Sequence, residues 1–69
     1  MKKILIIDGM TCQNCVNHTT EALEKIDGVT KVHVDLKTKT ADVETNGDIA
    51  DDLLIQAVKD EGYSVVSIS

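Results

Sequence analysis

The chain is expected to adopt a ferredoxin-like βαββαβ fold of the α+β class, an open-faced sandwich with a four-stranded antiparallel sheet and two helices on one face. Three observations predict it. Sixty-nine residues suffice for one small domain, residues 1–69, and no more. Segments with strand and helix periodicity follow one another in the order β, α, β, β, α, β. The two halves also echo each other: IDGVTKV (Ile26–Val32) and DEGYSVV (Asp60–Val66) share an acid, a Gly, an apolar residue and a hydroxyl, with Gly28 and Gly62 34 residues apart. Two successive βαβ halves make the split βαβ arrangement.

Each element has its own signal. Lys3–Asp8 is a near-continuous aliphatic run of strand length, as expected for a strand covered on at least one face. Val16, Thr19, Leu23 and Ile26 then recur at helical spacing, while Glu21 and Lys25 form an i, i+4 pair on the opposite side. The first helix is read as Asn14–Ile26, stopped by Gly28. Val32, Val34 and Leu36 alternate with His33 and Asp35, and Ala41 and Val43 with Asp42 and Glu44. These are two half-buried strands joined by a polar turn over Lys37–Lys39. Asp48 reads as the N-cap of a second helix, with Asp51 and Asp52 in its first turn to suit the dipole. Its apolar stripe is Ala50, Leu53, Leu54, Ala57 and Val58, and Gly62 closes it. Tyr63–Ile68 is the last strand.

Composition narrows the function. Apolar residues make up 42% of the chain and Tyr63 is the sole aromatic, enough for one aliphatic core but not for a roomy substrate cavity. A net charge of −5, with seven scattered Lys and no Arg, argues against nucleic-acid binding, which needs a basic stripe. The start MKKILIID imitates a secretory signal, but its apolar run covers only Ile4–Ile7 before Asp8 ends it. No segment approaches the length of a membrane span. A cytoplasmic protein is therefore expected, where paired thiols stay reduced and bind metal or do redox chemistry more often than they staple a fold.

Both cysteines lie in DGMTCQNCVNH (Asp8–His18). Cys12 is expected in the loop after the first strand and Cys15 in the first turn of the first helix. Unpaired N–H groups and the positive dipole end favour a thiolate there, and the thiolate is the form that binds metal. Structural zinc wants four ligands, and two Cys with two His supply them poorly: His33 belongs to a distant strand, and His18, one turn beyond Cys15, reads as a solvated helix residue. Two soft sulfurs suit Cu(I), and the spare coordination positions leave the ion open to an external thiolate. Such a site fits a carrier. A redox disulfide of the thioredoxin kind is the rival, but its usual Trp and Pro are missing. Two incidental buried thiols are disfavoured because Thr11, Gln13 and Asn14 break any apolar rhythm. The Asp48–Asp52 cluster lacks the twelve-residue loop and closing Glu of a calcium site, so helix capping explains it.

GMTCQNC (Gly9–Cys15), with IDGV (Ile26–Val29) and EGYSVV (Glu61–Val66), resembles the heavy-metal-associated domain family over essentially the whole chain. The resemblance implies Cu(I) held by Cys12 and Cys15, with Met10 an apolar anchor beneath the loop rather than a ligand. It places Tyr63 near the site, where it either caps the core with its hydroxyl in water or shields the thiolates. Thr11, where zinc- and cadmium-exporting relatives often carry Asp, favours copper. Asn14, where many bacterial chaperones have His, and Thr19, where the family usually packs Val, are departures. Thr19 is expected to hydrogen-bond back to its own helix at a small cost in stability.

The resulting expectation is a non-enzymatic Cu(I) chaperone that hands its ion to the metal-binding domain of a copper-transporting P-type ATPase, and to a copper-responsive repressor as a further partner. A monomer is expected, with a copper-bridged dimer as its alternative. Two rivals stand beside this reading. One is a domain excised from such an ATPase, against which Met1 and the short tail after Ile68 favour a free protein. The other is a mercury-binding protein, whose relatives usually carry an export signal.

Overall fold

A computed structural model describes all residues, Met1–Ser69. The elements run β1 (Lys2–Asp8), α1 (Gln13–Glu24), β2 (Val29–Asp35), β3 (Thr40–Thr45), α2 (Asp51–Asp60) and β4 (Ser64–Ile68). The strands form one sheet in the order β2-β3-β1-β4, with every neighbouring pair antiparallel. Alternation along β1 sends Leu5 and Ile7 into the core and leaves Ile4 and Ile6 on the open sheet face. Both helices cover the other face. Their stripes, Val16, Thr19 and Leu23 from α1 and Leu54 and Val58 from α2, close over Leu5, Ile7, Ala41 and Val43. The ferredoxin-like sandwich expected from the sequence is the observed architecture.

Several boundaries differ, each for a local reason. Cys12 is itself the N-cap of α1, in extended backbone, so the helix begins one residue before Asn14. It ends at Glu24 rather than Ile26, because the Ile26 N–H bonds the Leu23 carbonyl and tightens the chain into a turn. Ile26 still packs on the core from that turn. β2 starts at Val29, and an irregularity between Val29 and Lys31 hides the alternation of its first residues. Leu36 belongs to the following turn, where it still reaches the core.

The largest correction concerns Asp48. The helix N-cap is Ala50, with no side-chain cap bond, and α2 starts at Asp51. Ile49 explains this. Its side chain is buried against Gly28, where an added Cβ would meet Ile49 Cδ1 at 3.0 Å, and its carbonyl accepts a hydrogen bond from Lys3 Nζ at 2.8 Å. Lys3 also pairs with Asp51. These contacts with Gly28 and with Lys3 of β1 hold the segment 48–50 ahead of the helix, with Ala50 in extended backbone. Ala50 and Leu53 consequently lie exposed rather than in the apolar stripe. Tyr63 precedes β4 instead of opening it.

Candidate metal centre

The site sits where β1 hands over to α1. Gly9 takes φ +103°, a conformation open to glycine, and turns the chain across the end of the sheet. Met10 then drops into the core with 2% of its surface exposed, between Leu5 and Ile7 of β1 and Val16 of α1 in the same cluster. With its neighbour buried, the loop has Thr11 and Cys12 at the surface. Cys12 caps the helix and Cys15 stands at its third position, among N–H groups with no partner inside the helix.

Both cysteines are free thiols, Cys12 exposed and Cys15 half-buried. Their sulfurs lie 3.1 Å apart, a hydrogen-bonding contact in which one thiol donates to the other. Cys15 is lowered from 9.0 to about 6, first by a hydrogen bond from the Tyr63 side chain, then by the Thr11 main chain and the Cys12 thiol. Tyr63 is pushed up in return to about 12, chiefly by the same bond. Thr11 thus acts on the site through its backbone. The Tyr63 ring packs against the core, and its side chain is the first cause of the lowered Cys15 pKa.

Nothing else joins the two sulfurs. No group of three or more His, Cys, Asp or Glu side chains stands close enough to hold one ion, so His18 completes no ligand set. His18 and His33 are both exposed. The surface has no pocket. The pair is a two-sulfur clamp on an open surface, with a thiolate stabilised on one side. Sequence reasoning gave Gly9 no role, although it stands first in the quoted motif. It leaves room for the Tyr63 ring: a Cβ there would meet Tyr63 Cδ1 at 3.3 Å. The signal was the glycine immediately before the Met-Thr-Cys run.

Comparison with known proteins agrees with this geometry. Residues 4–64 match the heavy-metal-associated domain. The chain is 43% identical over 60 residues to the mercuric reductase of Shewanella putrefaciens, covering 87% of itself but 11% of that protein. It is 35% identical over 65 residues to the copper chaperone CopZ of Bacillus subtilis, covering 93% of itself and 94% of that protein. A solved CopZ metallochaperone superposes with a TM-score of 0.90 at 34% identity, over 96% of this chain and all of that one. No helix is long and apolar enough to cross a membrane. With the domain matched over most of its length and the identity sustained across a whole relative, the chain belongs to the heavy-metal-associated domain family.

Proposed function

We infer that the protein is a copper chaperone that binds one Cu(I) through Cys12 and Cys15 and passes it to a partner by thiolate exchange. One observation carries the reading: two free sulfurs 3.1 Å apart at an exposed helix N-terminus, with no third protein ligand. Soft sulfur donors in low number select a soft d¹⁰ ion over zinc, which prefers four ligands. The Tyr63 hydrogen bond lowers Cys15 to about 6, which favours the thiolate that binds metal and reduces the proton release that opposes binding. Met10 anchors the loop from below, and Thr11 and Tyr63 stabilise the Cys15 thiolate. No step in this reading is enzymatic.

Exchange proceeds as an incoming thiolate occupies the open side of the ion, giving a three-sulfur intermediate, before one of the chain's own sulfurs leaves. Cys12 is the first to be replaced, because it is the more exposed of the two and Cys15 is held by Tyr63. Cys12→Ser should then slow transfer more than Cys15→Ser at matched copper loading, and equal slowing would count against this order. The partner is a domain presenting its own thiolate pair, in this reading the metal-binding domain of a copper-transporting P-type ATPase, with a copper-responsive repressor as a second recipient. Unpaired thiols suit a reducing compartment, the cytoplasm.

Mercury is the second reading, favoured by the 43% identity to a mercuric reductase. A two-sulfur clamp binds Hg(II) as readily as Cu(I), so affinity alone does not separate the two. The test is an anaerobic Cu(I) titration against a chromophoric chelator, with the double Cys→Ser variant as control, followed by transfer to an isolated ATPase metal-binding domain. Uptake of one ion per chain, lost in the variant, and delivery to that domain are expected. Zinc bound as tightly as copper would overturn the copper assignment.

A further inference from the structure

The turn that carries both sulfurs lacks the usual supports of a helix start. Its N-cap is a cysteine that makes no side-chain cap bond, and no acidic residue stands in the first turn. A helix start of this kind frays readily, because its leading N–H groups have no partners. The only helical hydrogen bond reaching back to the cap residue from the Cys15 neighbourhood is Val16 N–H to the Cys12 carbonyl, at 3.2 Å.

A second observation lies directly beneath. Thr19 is completely buried, as one of two buried polar residues beside Thr45, against an apolar cluster of Leu, Ile, Val, Met and Ala. Its hydroxyl donates to the Cys15 carbonyl at 2.9 Å. One residue on, Thr20 repeats the contact to the Val16 carbonyl at 2.8 Å. In an α-helix these carbonyls already accept the main-chain N–H four residues later, so each threonine adds a second donor from the core side. The added bonds tie the Cys15 and Val16 carbonyls to side chains of the next turn, where Thr19 is buried in the core.

We propose that Thr19 is a positioning residue for metal capture: its buried hydroxyl holds the Cys15 peptide so that the two sulfurs converge before an ion arrives. The inference rests on the copper-binding reading and deepens it. Without the hydroxyl the sulfurs must be ordered at the moment of binding, and affinity falls by the cost of that ordering. One neutral hydrogen bond corresponds to roughly a three- to tenfold change.

Two variants separate this role from a merely structural one. Thr19→Val keeps the shape and removes the hydroxyl; Thr19→Ser keeps the hydroxyl and removes a core methyl. Both are measured for Cu(I) affinity by chelator competition and for Tm by circular dichroism. If Thr19 positions Cys15, affinity follows the hydroxyl while stability follows the methyl. Thr19→Val then binds about three- to tenfold more weakly with Tm unchanged or raised, and Thr19→Ser binds like the parent with a lowered Tm. Parental affinity in Thr19→Val, or equal losses in the two variants, overturns the proposal. Hydrogen exchange at the Val16 amide in the metal-free protein gives an answer independent of copper. Faster exchange in Thr19→Val but not in Thr19→Ser supports positioning even if the parent takes up no Cu(I), an outcome that would sink the copper reading alone. Unchanged exchange in both overturns the positioning role.

Discussion

Tyr63 and Cys15 illustrate how much one side-chain contact changes. A thiol is an ordinary weak acid until a donor and a helix N-terminus stabilise its anion, and here the Tyr63 hydrogen bond is the largest of those causes. In Tyr63→Phe, Cys15 should titrate well above about 6, seen as a shift of the alkylation-rate profile with iodoacetamide toward higher pH. An unmoved profile would remove Tyr63 as the cause. The same contact links stability to pH. Cys15 is depressed from 9.0 to about 6 on folding, so its contribution is fully present above pH 9 and lost as pH falls through 6. The Tm of the metal-free protein minus that of Cys15→Ser should therefore rise between pH 6 and 9, followed by differential scanning calorimetry under reducing conditions. Gly9 supports the pair from behind. Gly9→Ala forces a side chain into φ +103° and against the Tyr63 ring, and should cost about 1–3 kcal/mol in urea denaturation.

Among the elements, α2 is the one whose start is set from outside. Its N-cap, Ala50, has extended backbone and offers no side-chain acceptor to the free N–H groups. Ala50→Asp should therefore supply the missing cap and stabilise the protein by about 0.5–1 kcal/mol. Asp48→Ala, by contrast, should change stability by less than about 0.5 kcal/mol, because Asp48 lies two residues before the cap and makes no capping bond. Chemical denaturation of the two variants side by side checks both, and a large loss in Asp48→Ala would restore Asp48 as the cap. The helix is tied instead by Lys3, whose ammonium group reaches the Ile49 carbonyl and Asp51. At the opposite end of the chain, the N-cap of α1 also makes no side-chain cap bond, while the Thr19 and Thr20 hydroxyls donate to the Cys15 and Val16 carbonyls.

At the scale of the whole molecule, the stability margin is small. Twelve residues are buried, and Met10 is one of the largest of them. The residue next to the metal loop is thus also a main component of the single core, and the loop's geometry depends on that core. Met10→Ala should cost about 2–5 kcal/mol, a large share of what a domain of this size has to lose. Met10→Leu, close in volume, should cost less than about 1.5 kcal/mol and keep Cu(I) binding. Urea denaturation and chelator competition on the pair separate loss of fold from loss of site: Met10→Ala should bind weakly because it is loosened, not because a ligand is gone. Charge works at this scale too. A net charge of −5 adds electrostatic repulsion between copies of the chain.

Periodicity was enough to read the element order, the sandwich and the inward faces of β2 and β3, because burial of alternate or every third and fourth side chain is written directly into the spacing of Val, Ile and Leu. The thiols of Cys12 and Cys15 stood out by their spacing, whereas the burial of Met10 beneath the loop was implied by the family resemblance. What could not be read were features made by residues distant in the chain. Ile49 meets Gly28 and Lys3, and that meeting moved the start of α2 from Asp48 to Asp51 and left Leu53 in solvent. Gly9 lies close under the Tyr63 ring, and Tyr63, brought near the site in the sequence reading only by the family resemblance, lowers the Cys15 thiol. Spacing along a chain encodes which side of an element is apolar. It does not encode which side chains from separate elements will touch, and in this molecule those contacts position the helix start and make the Cys15 thiol more acidic.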